Sequence, residues 1–145
     1  MDDKLKFNLT AIAKISVSML LIDIIYLSTI KGTWNTMVSN IQNKKMSIKM
    51  HYAAIVYILM IIGLWFLVFK DRYEDKSIKK GLNEDSLTYI LKAGVLGLLV
   101  YGVFDFTNLA IFSNYNLLVG ISDFIWGGIL FALVTLITIS LEPVF

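Results

Sequence analysis

The sequence predicts an all-α membrane protein: a polytopic chain with four transmembrane helices in an antiparallel bundle, plus a short interfacial amphipathic helix between helices 1 and 2. Three observations predict it. First, 57% of the 145 residues are hydrophobic, 17% are charged and the mean hydropathy is +0.73. Soluble domains run about 45–50% apolar and about 25% charged. Second, four stretches approach or exceed the ~20 apolar residues that a ~30 Å hydrocarbon core requires. Third, most of the charge lies between those stretches rather than within them.

The first span covers about 9–30 and is interrupted by Lys14 and Asp23. It follows Lys4 and Lys6, as a secretory signal would. Its apolar run exceeds the usual 7–15 residues and no small-x-small cleavage site follows, so it reads as a retained helix. Residues 33–48 are polar but patterned. Trp34, Met37, Val38 and Ile41 fall at i, i+3, i+4 and i+7, with Lys44, Lys45 and Lys49 beyond. That face predicts a short helix lying in the headgroup layer.

The second span, about 52–69, carries no charge. A loop over 70–86 follows, dense in both signs. Asn83, Glu84, Asp85 and Ser86 are placed to cap the next helix. The third span, about 87–112, holds Lys92 near its start and Asp105 inside. Ser113 to Asn116 is a turn short enough to make the last two helices antiparallel neighbours. The fourth span, about 117–141, has Asp123 as its only charge. The whole, 1–145, reads as one membrane domain. Ala93-xxx-Gly97 and Gly128-xxx-Ala132 are small-xxx-small pairs that allow close helix approach.

Composition also excludes. High hydropathy excludes a disordered chain. One proline and nine glycines exclude collagen-like material, and the absence of cysteine removes disulfides, thiol nucleophiles and thiolate metal sites. A net charge of +2 gives no reason to expect nucleic acid as a partner. The partner implied is the lipid bilayer, with a homo-oligomer left open. Lys4, Lys6, Lys14, Lys70, Arg72, Lys76, Lys79, Lys80 and Lys92 flank one side, against Lys31, Lys44, Lys45 and Lys49 on the other. The positive-inside rule then puts both termini in the cytoplasm. Lys14 and Lys92 are close enough to a helix end to snorkel.

Three acids stay inside spans. An unpaired charge at bilayer depth costs at least ~2.5–3.5 kcal/mol on insertion scales, so each needs a reason. Counted from the helix ends, Asp23, Asp105 and Asp123 all lie ~9–11 Å below the outer surface. Three acids from three helices at one depth predict a shared polar layer. Residues three and four apart share a helix face. Tyr26 therefore stands beside Asp23, Tyr101 and Asn108 beside Asp105 with Thr107 on the adjacent face, and Trp126 beside Asp123. Each acid shares its stripe with a donor. His51 stands at the outer end of the second span. One histidine with two or three aspartates can bind a divalent cation. A plain polar layer with no metal and no cofactor is the simpler expectation.

The stretch Tyr101-Gly102-Val103-Phe104-Asp105-Phe106-Thr107-Asn108-Leu109-Ala110, with Asp123-Phe124-Ile125-Trp126-Gly127 after it, resembles the family of predicted membrane proteins catalogued as domain of unknown function 2177. The third helix of that family has the pattern Y-G-x-[YF]-D-[LF]-T-N-L-A and the fourth D-x-x-W-G. Its first helix carries L-D-x-x-[WY]-L, matched here by Ile22-Asp23-Ile24-Ile25-Tyr26-Leu27. Tyr26 replaces the commoner Trp, Tyr115 stands where a Trp often precedes the fourth helix, and loop 70–85 is longer than usual. The resemblance implies a small four-helix membrane protein and points to the same three aspartates. It implies no activity.

Three functions suit this pattern. The acids can handle a small molecule, an ion or a proton from the outer side. They can serve as acid–base groups of an enzyme, or enzyme subunit, acting on lipid, although one histidine and no metal motif speak against that. They can be interhelical glue, although such bonds average only ~0.6 kcal/mol and make three buried acids costly. A retinal photoreceptor does not fit, since no lysine lies mid-membrane.

Overall fold

The computed structural model describes residues 3–75 and 80–142. All regular structure among them is helical. Helix α1 spans Asp3–Gln42, α2 Met50–Leu64, a π-helical turn Trp65–Phe69, α3 Lys70–Glu74, α4 Ser86–Ile111 and α5 Leu117–Ser140. The π turn joins α2 to α3 without a break, so four helices are long and apolar enough to cross a membrane: Asn8–Gln42, Met50–Glu74, Ser86–Ile111 and Leu117–Ser140. Large side chains such as Leu21, Ile25, Leu59, Leu67, Leu99 and Val103 are exposed on their surfaces. In water such a surface would be an aggregation hazard; in a bilayer it is the lipid contact. The protein is a four-helix, multi-pass membrane protein.

The separate interfacial helix is not formed. Residues 33–42 continue α1, which is 40 residues long. At 1.5 Å per residue that is about 60 Å, more than a bilayer of about 40–45 Å with its headgroups. No proline stops the helix, and Gly32 has open space around it. The amphipathic stripe packs against the turn before α5 instead of lying on lipid. Met37 is buried and its Sδ accepts from the Asn116 N–H at 3.3 Å. The Trp34 ring meets Tyr115 edge-on at 6.1 Å and Phe104 at 6.3 Å.

The buried face of α1 runs Ala11, Ile15, Met19, Asp23, one residue per turn. It packs against α5, and α5 packs most extensively on α4. A Cβ on Gly97 would run into the Gly127 carbonyl, and one on Gly127 into the Tyr101 ring. These glycines set the close α4–α5 approach and seat Tyr101. The Asn116 side chain caps α5, accepting from Leu118 N at 2.9 Å and Val119 N at 3.2 Å.

The two halves of the bundle differ. At the end carrying the termini, Ile15, Met19, Leu64, Phe69, Phe131 and Val134 belong to one apolar core. Beneath it sits an ion pair that sequence reading left in loop and tail. Arg72 is 0% exposed and donates to both oxygens of Glu142, from Nε at 3.1 Å and Nη2 at 2.8 Å. Arg72 Nη2 also donates to the Gly81 carbonyl at 2.9 Å, and the Gly81 N–H to Glu142 Oε2 at 2.8 Å. Arg72 lies 5.3 Å from the Tyr89 ring centre. Burial pulls the neighbouring Lys80 ammonium below its usual pKa, and Lys80 donates to the Arg72 carbonyl at 3.2 Å. Arg72 and Lys80 from the expected loop therefore form, with Gly81 and Glu142, a clasp joining α3 to the end of α5 beside Tyr89 of α4. Positions 76–79, with Lys76 and Lys79, lie outside the described residues. Capping of α4 also departs from expectation: Asp85 makes no side-chain cap, and Ser86 Oγ accepts from Asn83 N at 2.9 Å. Lys14 reaches that end and donates to the Leu141 carbonyl at 2.6 Å.

Candidate functional site

The other half, where α1 and α4 end and α2 and α5 begin, holds the acids. All three are buried: Asp23 is 4% exposed, Asp105 0% and Asp123 6%. Each of α1, α2, α4 and α5 brings its acid, or its donor, to this layer. Tyr57 lies seven residues into α2, about 10 Å along the axis, which is the depth reckoned for the acids.

Asp23 is well supplied with donors. Tyr57 donates its hydroxyl to Oδ2 at 2.6 Å, and Trp126 Nε1 donates to Oδ1 at 2.9 Å. One carboxyl on α1 thereby ties α2 to α5. The Trp126 ring is held by Tyr26, stacked at 4.2 Å and 11°. Asp105 accepts from the Tyr115 hydroxyl at 2.8 Å through Oδ1, while its Oδ2 is buried without a partner. Burial and the Asp105 acceptor both push the Tyr115 phenol above its usual pKa, so it stays a donor. The Tyr26 hydroxyl lies beside Asp123 but short of hydrogen-bond geometry, and is itself buried without a partner. Trp34 Nε1 is a third such group. Few buried polar groups go unpaired in folded proteins, and three are gathered in this half, against the Thr135 hydroxyl in the other.

Two cavities reach this layer. One, of about 330 Å³, lies among α1, α2 and α4, with Asp23, Asp123, Tyr57 and Tyr101 against apolar Leu27, Val56, Val100 and Phe104. The other, of about 420 Å³, runs from Asp123 past Trp34 to Ser28, Lys31, Met46 and Ile48 at the end of the bundle. They share Leu27, Tyr101, Phe104 and Asp123. Asp123 is thus the carboxyl common to both. Both volumes fall within the range of small-molecule sites.

The structure therefore brings Asp23, Tyr26, Tyr101, Asp123 and Trp126 together. Asp105 is adjacent, and Asn108 lies beside the Tyr115 hydroxyl. Thr107 is not brought in: it is exposed and faces a groove with Leu98 and Phe106. His51 is exposed too, with its ring 4.2 Å from that of Tyr52. No three of the described His, Asp and Glu residues converge as a metal site. Sequence reading missed Tyr57 and gave Tyr115 no role in the acid layer, only its place before the fourth helix. Tyr57 had a signal, being the hydroxyl in the charge-free second span at the depth of the acids.

No curated protein matches the chain, and no solved structure does. A family model described as "Predicted membrane protein (DUF2177)" matches residues 8–140, a stretch that includes all four spans and all three aspartates, and the chain belongs to that family.

Proposed function

We propose that the protein handles a small molecule, an ion or a proton at the intramembrane carboxylate layer. The observation that carries this reading is Asp123, a buried acid facing two joined cavities. Pure glue would leave its polar atoms satisfied, whereas Asp105 Oδ2 and the Tyr26 hydroxyl are not. Lys and Arg asymmetry supports a cytoplasmic position for both termini, which opens the site to the outer side. The apolar core and the Arg72–Glu142 clasp close the opposite half. This favours binding from one side over a continuous conducting path.

One observation favours the second reading, an enzyme or enzyme subunit acting on lipid. The cavity among α1, α2 and α4 is flanked by the lipid-exposed Val56, Val100 and Phe104. A crystal structure grown in a lipidic mesophase tests the site. Non-protein density in contact with Asp123 is expected, and cavities closed by side-chain repacking would count against it. A lipid headgroup in that density would favour the enzyme reading.

A further inference from the structure

We infer that the cavity among α1, α2 and α4 takes an organic ammonium ion with an apolar tail, entering sideways from the bilayer. This deepens the proposed function and rests on it. The floor of the cavity is two carboxyls, Asp23 and Asp123. Each oxygen of Asp23 accepts one hydrogen bond and keeps a second lone pair. Asp123 has beside it only the unsatisfied hydroxyl of Tyr26 among the partners so far described. An ammonium group brings up to three N–H donors to this floor, and charge-assisted bonds are about twice as strong as neutral ones.

The walls decide what the cation carries. Leu27, Val56, Met60 and Val100 are apolar, and Tyr101 and Phe104 add aromatic faces that attract a desolvated cation. A hydrated divalent ion suits such walls poorly, since it needs six or more oxygen ligands. The basic residue nearest this region along α1, Lys31, lines the other cavity, eight residues or about 12 Å beyond Asp23. The cation therefore seats on the α2 side. Val56 and Val100 flank the opening and are exposed to lipid, so a tail leaves through hydrocarbon without meeting a polar group.

The test uses the full chain in nanodiscs, with thermal unfolding read against n-octylamine and 1-octanol at neutral pH. Octylamine should protect saturably at a concentration about tenfold or more below octanol, the ratio worth one charge-assisted bond. Asp123→Asn should erase that preference, and Glu74→Gln, an exposed acid at the opposite end of the bundle, should keep it. Leu27→Trp leaves every carboxyl in place and fills the junction of the cavities. It should abolish protection, and it serves if Asp123→Asn fails to fold. Equal protection by amine and alcohol, both lost in Leu27→Trp, would overturn the ammonium assignment and leave the binding site standing. Preference for the amine surviving Asp123→Asn would overturn the assignment as well. Protection by neither probe, or protection that survives Leu27→Trp, would overturn both.

Discussion

The two halves of this bundle both bury charge, and they do so in opposite ways. At the terminal end one arginine and one glutamate meet with two hydrogen bonds between them, and the Gly81 backbone donates to one and accepts from the other. At the acid end three carboxyls share a layer without a basic partner among their hydrogen bonds, and polar atoms of Asp105, Tyr26 and Trp34 are left unmatched. At the terminal end the buried charges are paired with each other against a packed core, although the Thr135 hydroxyl of that half is also buried without a partner. The acid end is an open network around cavities. Each unpaired buried group costs about 1–3 kcal/mol, so their gathering at the acid end needs a reason. The halves therefore differ in how charge is matched: an ion pair at one end, and at the other carboxyls that face cavities without a basic partner.

That contrast can be broken in four ways, in decreasing order of effect. Glu142→Ala strands Arg72 in the interior and should cost about 3–5 kcal/mol of unfolding free energy in detergent. The double change Arg72→Met with Glu142→Leu should recover most of it, since apolar replacement of a buried pair is often neutral. Gly97→Ala puts a methyl into the Gly127 backbone and should cost about 3 kcal/mol by overpacking. The matching Gly63→Ala faces open space and should stabilise by about 0.5–1 kcal/mol, through helix propensity alone. Tyr57→Phe removes one donor from Asp23 and should cost about 1–2 kcal/mol by the same denaturation measurement. Asp105→Asn keeps Oδ1 for Tyr115 and should shift stability by less than about 1 kcal/mol. A loss at Asp105 as large as that at Glu142 would erase the distinction between the halves.

The sequence made the fold legible because the bilayer leaves little choice. Backbone groups in hydrocarbon must pair within their own segment, so long apolar runs become helices. The acids were legible for the same reason: a charge within such a run stands out, and helical rise gives its depth. What stayed hidden depended on contacts between distant residues. Arg72 looked solvated because it sits among polar neighbours in sequence, Glu142 because it lies beyond the last span, and only the fold brings them together. Tyr57 lies on a span with no charge to draw attention to it. The stripe Trp34, Met37, Val38, Ile41 was read correctly as a helical face, but its partner was protein. Amphipathic periodicity reports that a face is covered and does not say by what. Thr107 shows the limit of neighbour rules, since a residue two along from Asp105 points away from it.

An open, cation-attracting cavity at the acid end should admit a charged reagent that the packed core of the terminal half excludes. The chain has no cysteine, so a single introduced thiol reports one position alone. The most direct measurement is the modification rate of Phe104→Cys by a cationic and an anionic methanethiosulfonate reagent, with Thr135→Cys in the buried terminal half as reference. Phe104→Cys should react about tenfold faster with the cation, Asp123→Asn should remove the bias, and Thr135→Cys should stay silent. Equal rates for the two reagents at Phe104→Cys, or reaction at Thr135→Cys as fast as at Phe104→Cys, would contradict that prediction.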